Sequence, residues 1–294
     1  MGKSKEMAKK LRDLLSRKQM LIMVGAYDGI SAIVVEKEGF EGIWLTGAGV
    51  AASLCGLPDV GLITMSEMVM MTKYIANLVD IPVLVDADTG YGNPLNVWRA
   101  VKELEIAGAA GIHMEDQVFP KKCGHFEGKE FVSAEEMAYK IKAAREASES
   151  MVIKARTDVN SVYGLEEAIR RAKIYREAGA DIITVETPKN LDELKEIRRS
   201  IDGWVSSAIT ASAKMGLFSK PNLEELGINM AVLQILYKVA PVAFTDVLKE
   251  FKSNNGSIEK SLNKSMTLSE SEKLMGIEKI NELERRFNLK VSRM

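Results

Sequence analysis

The chain has 294 residues, of which 46% are hydrophobic and 28% are charged. This length and composition suffice for one large buried core, either as a single large domain or as one domain with a helical appendage. Forty basic and 41 acidic residues give a formal net charge of -1. We therefore expect no global field that would attract nucleic acid or an anionic membrane surface, so neither is an expected partner.

The first 18 residues are rich in basic side chains but contain no continuous apolar stretch and no small-residue cleavage site. They predict an exposed amphipathic helix rather than a secretory signal. No run in the chain approaches the roughly 20 apolar residues that span a bilayer. The two cysteines, Cys55 and Cys123, lie far apart in sequence, so we expect no disulfide framework and a cytoplasmic location.

Short β-rich runs alternate with amphipathic helical stretches, which is typical of parallel βα units. The eight predicted strands end, in chain order, at Asp28, Thr46, Asp88, Asp116, Asp158, Glu186, Thr210 and Gln234. Glycines precede four of these strands, at positions where a helix ends and the chain turns. No G-x-G-x-x-G motif follows the first strand, so the pattern favours a (β/α)8 TIM-type barrel over an open dinucleotide-binding sheet.

The amino-acid composition changes near residue 253, where a polar link is followed by a charged helical pattern. We predict a barrel domain over residues 1–253, with the N-terminal helix, and a helical extension over residues 254–294. The extension is too polar to form its own core. We therefore expect it to pack on a neighbouring subunit in a homodimer or homotetramer.

Acidic residues cluster at the predicted strand ends, which converge at one mouth of a barrel where such enzymes do their chemistry. Asp86 and Asp88 are two residues apart in DADTGYGN, so both side chains fall on one face of a strand and suit Mg²⁺ or Mn²⁺. Glu115 and Asp116 are predicted to lie beside that pair, and Asp59 to reach in from a loop. The alternative is that these acids cap the following helix.

Cys123 lies in the segment FPKKCGHFEGKEF, residues 119–131, close to Lys121, Lys122 and His125. Positive neighbours lower the pKa of a thiol towards neutrality, as a nucleophile or a proton donor requires. The alternative is a surface loop with an incidental thiol. The residues alone do not decide between these two interpretations.

Other polar residues of the predicted strands have both structural and functional interpretations. Arg156 ends the fifth strand and presents a planar fork to a carboxylate or phosphate, or else forms a salt bridge with a strand-end acid. Glu186 is a base, a substrate-orienting group or the partner of Arg156. His113, in an apolar stretch, is interpreted as a core residue, and Cys55 as a small apolar filler.

Four motifs together resemble the isocitrate lyase and phosphoenolpyruvate mutase superfamily: GLPD at 56–59, DADTGYGN at 86–93, EDQVFPKKCGH at 115–125 and ARTD at 155–158. The resemblance covers most of the chain and implies a (β/α)8 barrel whose C-terminal helices are exchanged between subunits. KKCGH is similar to the signature of isocitrate, methylisocitrate and 2-alkylmalate lyases. It implies a Mg²⁺-dependent lyase that cleaves a 2-hydroxy di- or tricarboxylate into a 2-oxo acid and a second carboxylate.

The resemblance also implies roles for individual residues. Asp86 and Asp88 would hold the metal, with Asp59 and Glu115 acting through waters. Residues 119–131 would close over the mouth, where Cys123 delivers a proton while Lys122 and His125 hold or tune the thiol. The substrate would be bound by Thr46, Gly47, Ala48, Gly124, Arg156, Glu186 and Thr210.

The chain departs from the methylisocitrate lyase pattern at several positions. Trp44 stands where a tyrosine is usual, Ala208 and Ala211 replace two polar residues, and Val239 falls where an arginine is expected. These departures affect recognition of a tricarboxylate and favour a smaller or more apolar substrate, such as a 2-alkylmalate or oxaloacetate. The alternatives are a phosphonopyruvate or phosphoenolpyruvate mutase or hydrolase, and a non-catalytic barrel that binds a carboxylate.

Overall fold

The computed structural model describes residues 2–122, 124, 128–209 and 218–287 of the chain. It separates into two units, residues 1–237 and residues 238–294. The first unit contains every strand of the sheet. The division at residue 253, predicted from the change in composition, stays a prediction.

Eight parallel strands close into a barrel in which each strand pairs with the next and the last pairs with the first. Their bounds are β1 (Leu21–Ala26), β2 (Ile43–Leu45), β3 (Val83–Asp86), β4 (Gly111–Glu115), β5 (Val152–Thr157), β6 (Ile182–Val185), β7 (Trp204–Ile209) and β8 (Met230–Leu233). The (β/α)8 TIM-type fold predicted from the alternating pattern is therefore confirmed.

The helices of the first unit alternate with these strands. They are α1 (Lys3–Leu15), α2 (Gly29–Lys37), α3 (Gly47–Val50), α4 (Met65–Leu78), α5 (Pro94–Ala107), α6 (Ala134–Ala147), α7 (Asn160–Tyr163), α8 (Leu165–Glu177), α9 (Leu191–Ser200) and α10 (Lys220–Glu225). A π-helical turn, Ala51–Cys55, follows α3. Polar caps start several helices: Asn93, for example, accepts hydrogen bonds from the main chain at Leu95 and Asn96, with Pro94 at the first helical position.

Helix α1 contributes to the apolar filling of the barrel. Its residues Met7, Leu11, Leu14 and Leu15 belong to one buried cluster with strand residues such as Leu84. The expectation of an exposed helix is thus wrong for its apolar face, because that face is buried against the barrel while the lysines remain outside. Apolar residues fill this part of the barrel, whereas the polar residues collect at the carboxyl ends of the strands.

The second unit is helical. Helix α11 (Leu236–Ser253) leads into it, followed by α12 (Glu259–Leu262), α13 (Leu268–Leu274) and α14 (Ile277–Arg286). None of these four helices has a buried residue, and α11 exposes apolar side chains such as Phe244, Leu248 and Phe251. Within the described parts of the chain, no helix is long and apolar enough to cross a membrane.

Candidate active site

Asp86 and Asp88 lie together where β3 ends. Asp86 Oδ2 accepts a hydrogen bond from the main-chain nitrogen of Gly47 at 3.2 Å, and Asp86 Oδ1 accepts one from the nitrogen of Asp88 at 3.3 Å. A Cβ atom at Gly47 would lie 3.2 Å from Asp86 Oδ2 and 3.5 Å from Asp88 Oδ1. Both carboxylates therefore border the same small space, and a side chain at position 47 would fill it.

The loop after β3 has an unusual backbone that fixes these carboxylates. Asp88 and Tyr91 have positive φ angles of 46° and 61°, a conformation that non-glycine residues adopt rarely and that concentrates at functional sites. Gly90 also has a positive φ, and a Cβ atom there would lie 2.4 Å from Val97 Cγ2. Only glycine therefore fits between this loop and helix α5.

Lys121 contacts two acids of this site that the sequence did not connect with it. Its ammonium forms an ion pair with Asp59 and lies 3.2 Å from Asp88 Oδ1. Burial raises the pKa of Asp88 to about 6, although the charge of Lys121 opposes that rise. The structure thus brings Asp59 to the strand-end acids through Lys121. Its place in the KKCGH segment had suggested only a role in tuning Cys123.

Arg156 lies between two carboxylates at the end of β5. Its Nε donates to Asp158 Oδ2 at 2.8 Å, and its NH2 group pairs with Glu115. Burial opposes the charge of Arg156, but Asp158 and Glu115 outweigh it and raise the guanidinium pKa. Burial also raises the pKa of Glu115 well above its usual value. Arg156 therefore forms salt bridges with strand-end acids, as one of the two interpretations predicted. These salt bridges hold the guanidinium at the barrel mouth.

Asp116 does not lie beside Asp86 and Asp88, so that expectation is wrong. Its carboxylate accepts hydrogen bonds from Thr157 Oγ1 and Tyr175 OH, each at 2.7 Å, and from the main-chain nitrogen of Asp158 at 3.0 Å. Side chains alternate along a strand, so Asp116 faces away from the side that Glu115 occupies. It binds the helix layer and anchors the end of β5.

The oxygen atoms at the mouth fit a hard divalent cation. Glu115 Oε1 and Asp158 Oδ1 are buried without a hydrogen-bond donor, and Asp88 Oδ1 is buried with the ammonium of Lys121 3.2 Å away. Among the residues that the structure describes, no three carboxylate, histidine or cysteine side chains converge closely enough to enclose an ion. Mg²⁺ in enzymes is usually held by one or two carboxylates, with water and substrate completing its shell. The donor set around Asp86 and Asp88 is of that kind.

The predicted oxo-acid cradle follows β2. Thr46 is fully buried, and its Oγ1 accepts hydrogen bonds from Gln234 Nε2 at 2.5 Å and from the main-chain nitrogen of Gly49 at 3.3 Å. Gly47 and Ala48, which follow it, are also buried. Because Gly47 already donates to Asp86, the cradle and the predicted metal ligands form one continuous site.

Gly124 lies close to both Asp158 and Glu186. A Cβ atom at Gly124 would lie 3.0 Å from Asp158 Oδ1 and 3.2 Å from Glu186 Cγ. Lys129, which is buried, donates to the carbonyl oxygen of Gly124 at 2.5 Å. The structure therefore brings Gly124 and Glu186 to the Arg156 side of the mouth.

Lys122 is held through its main chain as well as its side chain. Its nitrogen donates to Gln117 Oε1, its oxygen accepts from Gln117 Nε2, and both distances are 2.9 Å. Its ammonium donates to the carbonyl oxygen of Gly128 at 2.5 Å. Three of the predicted site residues, Cys123, His125 and Thr210, lie outside the described residues, so their roles stay predictions.

A family model described as phosphoenolpyruvate phosphomutase matches residues 11–252. The chain belongs to this family. The resemblance inferred from the GLPD, DADTGYGN, KKCGH and ARTD motifs is thereby confirmed, since relatives named as lyases and as mutases of this superfamily also match the chain.

Two relatives in this family are named as lyases. The chain is 43% identical to 2,3-dimethylmalate lyase of Eubacterium barkeri, over 95% of this chain and 98% of the relative. It is 40% identical to 2-methylisocitrate lyase of Aeropyrum pernix, over 90% of this chain and 86% of the relative. Both similarities extend over the site described above.

A solved structure of phosphonopyruvate hydrolase with oxalate and Mg²⁺ is also similar, with a TM-score of 0.86 and 30% identity. The match covers 98% of this chain and 99% of that chain. Oxalate is a small dicarboxylate.

Proposed function

We propose that the chain is a Mg²⁺-dependent carbon-carbon bond lyase that cleaves a 2-hydroxy di- or tricarboxylate into a 2-oxo acid and a second carboxylate. The observation that carries the proposal is that the Asp86 and Asp88 pair and the Arg156 and Glu115 pair both lie at the carboxyl ends of β3, β4 and β5. Two relatives named as lyases, similar over 86% or more of their own lengths, support a reaction of this class.

The residues divide the work of holding the cation and the substrate. Asp86 and Asp88 hold Mg²⁺ or Mn²⁺, with Asp59 and Glu115 contributing through waters. When bound, the cation supplies Lewis acidity to the oxygens of the 2-hydroxy acid. The main chain at Thr46, Gly47 and Ala48 cradles the oxo-acid portion. Arg156 binds a carboxylate of the substrate, and Gly124, Glu186 and Thr210 complete the binding site around it.

The reaction requires two proton movements. The 2-hydroxyl loses its proton, the C2–C3 bond breaks as C2 becomes a carbonyl, and the electron pair remains on C3. Cys123 then donates a proton to C3, which releases the second carboxylate, with Lys122 and His125 tuning the thiol. A thiol suits this step because its pKa is far closer to neutrality than that of a hydroxyl.

The substrate class follows from the departures noted above. Trp44 is almost fully buried and offers an indole where methylisocitrate lyases usually have a phenol, and Ala208 removes a polar group at the end of β7. We propose a substrate smaller or more apolar than methylisocitrate, of the 2-alkylmalate type. The name of the Eubacterium barkeri relative, 2,3-dimethylmalate lyase, is consistent with this choice.

The test is a turnover panel with and without Mg²⁺. The purified chain is incubated with 2,3-dimethylmalate, other 2-alkylmalates and methylisocitrate, and release of pyruvate or glyoxylate is measured. With oxaloacetate, which is cleaved by hydrolysis, release of oxalate is measured instead. We expect Mg²⁺-dependent release of a 2-oxo acid from at least one 2-hydroxy acid and none in excess chelator. Release that is undiminished by chelator would contradict the metal-dependent lyase.

A second candidate is a phosphonopyruvate or phosphoenolpyruvate mutase or hydrolase. It is favoured by the similarity to phosphonopyruvate hydrolase, at 30% identity and a TM-score of 0.86. The same panel includes phosphonopyruvate, with phosphate release and phosphoenolpyruvate formation as readouts. Activity on phosphonopyruvate alone would replace the lyase by this candidate.

A further inference from the structure

Three side chains from three strands form a buried cluster inside the barrel, next to the acids of the mouth. The amine of Lys154 on β5 lies 3.3 Å from His113 Nδ1 on β4 and 4.4 Å from the ring centroid of Trp44 on β2. The rings of Trp44 and His113 meet edge to face, with centroids 4.8 Å apart. Trp44 and Lys154 are each 4% exposed, and His113 is fully buried.

The cluster holds an amine without the partner that a buried charge normally requires. Burying a charge is costly unless an opposite charge compensates it. None of the ion pairs formed within the described segments includes Lys154; Lys121 and Arg156, in contrast, each contact two carboxylates. The amine contacts His113 Nδ1 and the ring of Trp44, and a cation over an indole face is attracted to it. The charges of Glu186, Asp86 and Glu115 act on the amine from farther away.

The cluster lies directly beneath the predicted oxo-acid cradle. Trp44 lies on β2, and Thr46 follows the end of that strand with an extended backbone, so the alternation of side chains puts both on the same side. In the sheet register Asp86 pairs with His113, and His113 pairs with Lys154. The indole is therefore the layer beneath the cradle, and the amine fixes it from one face.

We propose that Lys154 is a positioning residue of this site, which holds the indole of Trp44 in place as the floor of the cradle that binds the oxo acid. This proposal rests on the proposed function, because the cradle is defined by it. A floor that shifts would let the bound acid move relative to the groups that act on it. Small misplacements of that kind lower the rate of the chemical step more than they weaken binding.

The experiment is a double-mutant cycle on Lys154 and Trp44. The variants Lys154→Met, Trp44→Phe and the double variant are compared for kcat and KM on the best substrate of the panel. We expect Lys154→Met to lower kcat by about 10- to 100-fold with KM changed less than about threefold. In the Trp44→Phe background Lys154→Met should lower kcat by less than about twofold, because the indole that Lys154 holds is absent.

A spectroscopic arm tests the contact without any substrate. The near-ultraviolet circular dichroism of the wild type minus that of Trp44→Phe isolates the signal of a fixed Trp44. We expect Lys154→Met to lose this signal as fully as Trp44→Phe does. If the wild type turns over nothing in the panel, the proposed function fails, and this arm still decides whether Lys154 holds the indole.

A matched control comes from a pair on α5 with an exposed indole, where the amine of Lys102 lies 5.8 Å from the ring centroid of Trp98. Lys102→Met and Trp98→Phe should leave kcat and KM unchanged. Lys154→Arg retains a cation for comparison if Lys154→Met unfolds. The proposal is overturned if Lys154→Met lowers kcat equally in both backgrounds, or if the Trp44 signal persists without the amine.

Discussion

The Nε atom of Arg156 lies 2.8 Å from Oδ2 of Asp158, and the NH2 group of the same guanidinium pairs with Glu115. Both partners are buried. The guanidinium is therefore oriented before any ligand arrives. Orientation in advance reduces the entropy that binding must overcome, and a planar fork matches a carboxylate better than a point charge does.

The first prediction concerns this orientation. Arg156→Lys should weaken binding of oxalate in the presence of Mg²⁺ by about 10- to 100-fold, because an ammonium cannot serve Glu115, Asp158 and a ligand in one plane. Isothermal titration measures the affinity. Arg170→Lys is the matched control, since Arg170 forms an exposed pair with Glu167 on α8. This variant should bind oxalate as tightly as the wild type does. Equal affinity in Arg156→Lys would contradict a role in carboxylate binding.

The second prediction concerns the cation. Asp88→Asn keeps the size of the side chain but removes its charge, so Mg²⁺-dependent turnover should be lost while the folded structure is retained. Turnover across a Mg²⁺ titration and far-ultraviolet circular dichroism are the measurements. Asp202→Asn, at an exposed position after α9, should behave as the wild type. Full turnover in Asp88→Asn, or in excess chelator, would contradict the assignment of Asp88 as a metal ligand.

Much of the fold was predictable from sequence, because βα units repeat and glycines mark the ends of helices. The Asp86 and Asp88 pair was also predictable, since alternation along a strand fixes which residues share a face. Lys121 was not, because its contact with Asp88 joins residues 33 positions apart through the geometry of a loop. Lys154 gave no signal either, since one polar residue in a β-rich run does not reveal which groups surround it.

The third prediction concerns stability and pH. Burial lowers the pKa of Lys154 from its ordinary value of 10.5 to about 7. Between these two values the unfolded chain binds the proton and the folded chain does not, so this residue makes the wild type more stable as the pH rises through that window. The penalty of its buried charge is greatest below pH 7, where both states are protonated.

Lys154→Met lacks this penalty. The free energy of unfolding of Lys154→Met minus that of the wild type should therefore be largest below about pH 7. This difference should fall steadily as the pH is raised towards 10. Urea unfolding at fixed protein concentration, at several pH values, measures the difference. A difference that does not vary with pH would show that the amine has the same pKa in both states.

The fourth prediction concerns assembly. Helix α11 exposes Phe244, Leu248 and Phe251, which follow helical spacing and form one apolar face. We propose that the C-terminal helices are exchanged with another copy of the chain, so sedimentation should show a dimer or tetramer. Phe244→Glu with Leu248→Glu should shift the chain towards the monomer, whereas Lys249→Glu, on the same helix, should not. A wild-type chain that is monomeric at micromolar concentration would contradict the proposed exchange of helices.

The last prediction concerns Cys123, whose role follows from the KKCGH motif. If its thiol protonates C3, Cys123→Ser should retain oxalate and Mg²⁺ affinity but lower turnover by about 10²- to 10⁴-fold, because a serine hydroxyl is a far weaker acid. Cys55 supplies the matched control. Its thiol lies 3.7 Å from Glu67 Oε1, and burial first and the Glu67 charge second raise its pKa, so it should react slowly.

Alkylation with iodoacetamide then separates the two thiols. Inactivation should follow modification of Cys123, be absent in Cys123→Ser and be unaffected by Cys55→Ser, and oxalate with Mg²⁺ should slow it. Peptide mass spectrometry identifies the modified residue at each time point. Wild-type turnover in Cys123→Ser on the best substrate would show that Cys123 is not the proton donor of a lyase reaction. In that case the second candidate, which acts on a carbon-phosphorus bond, would become the better account of this site.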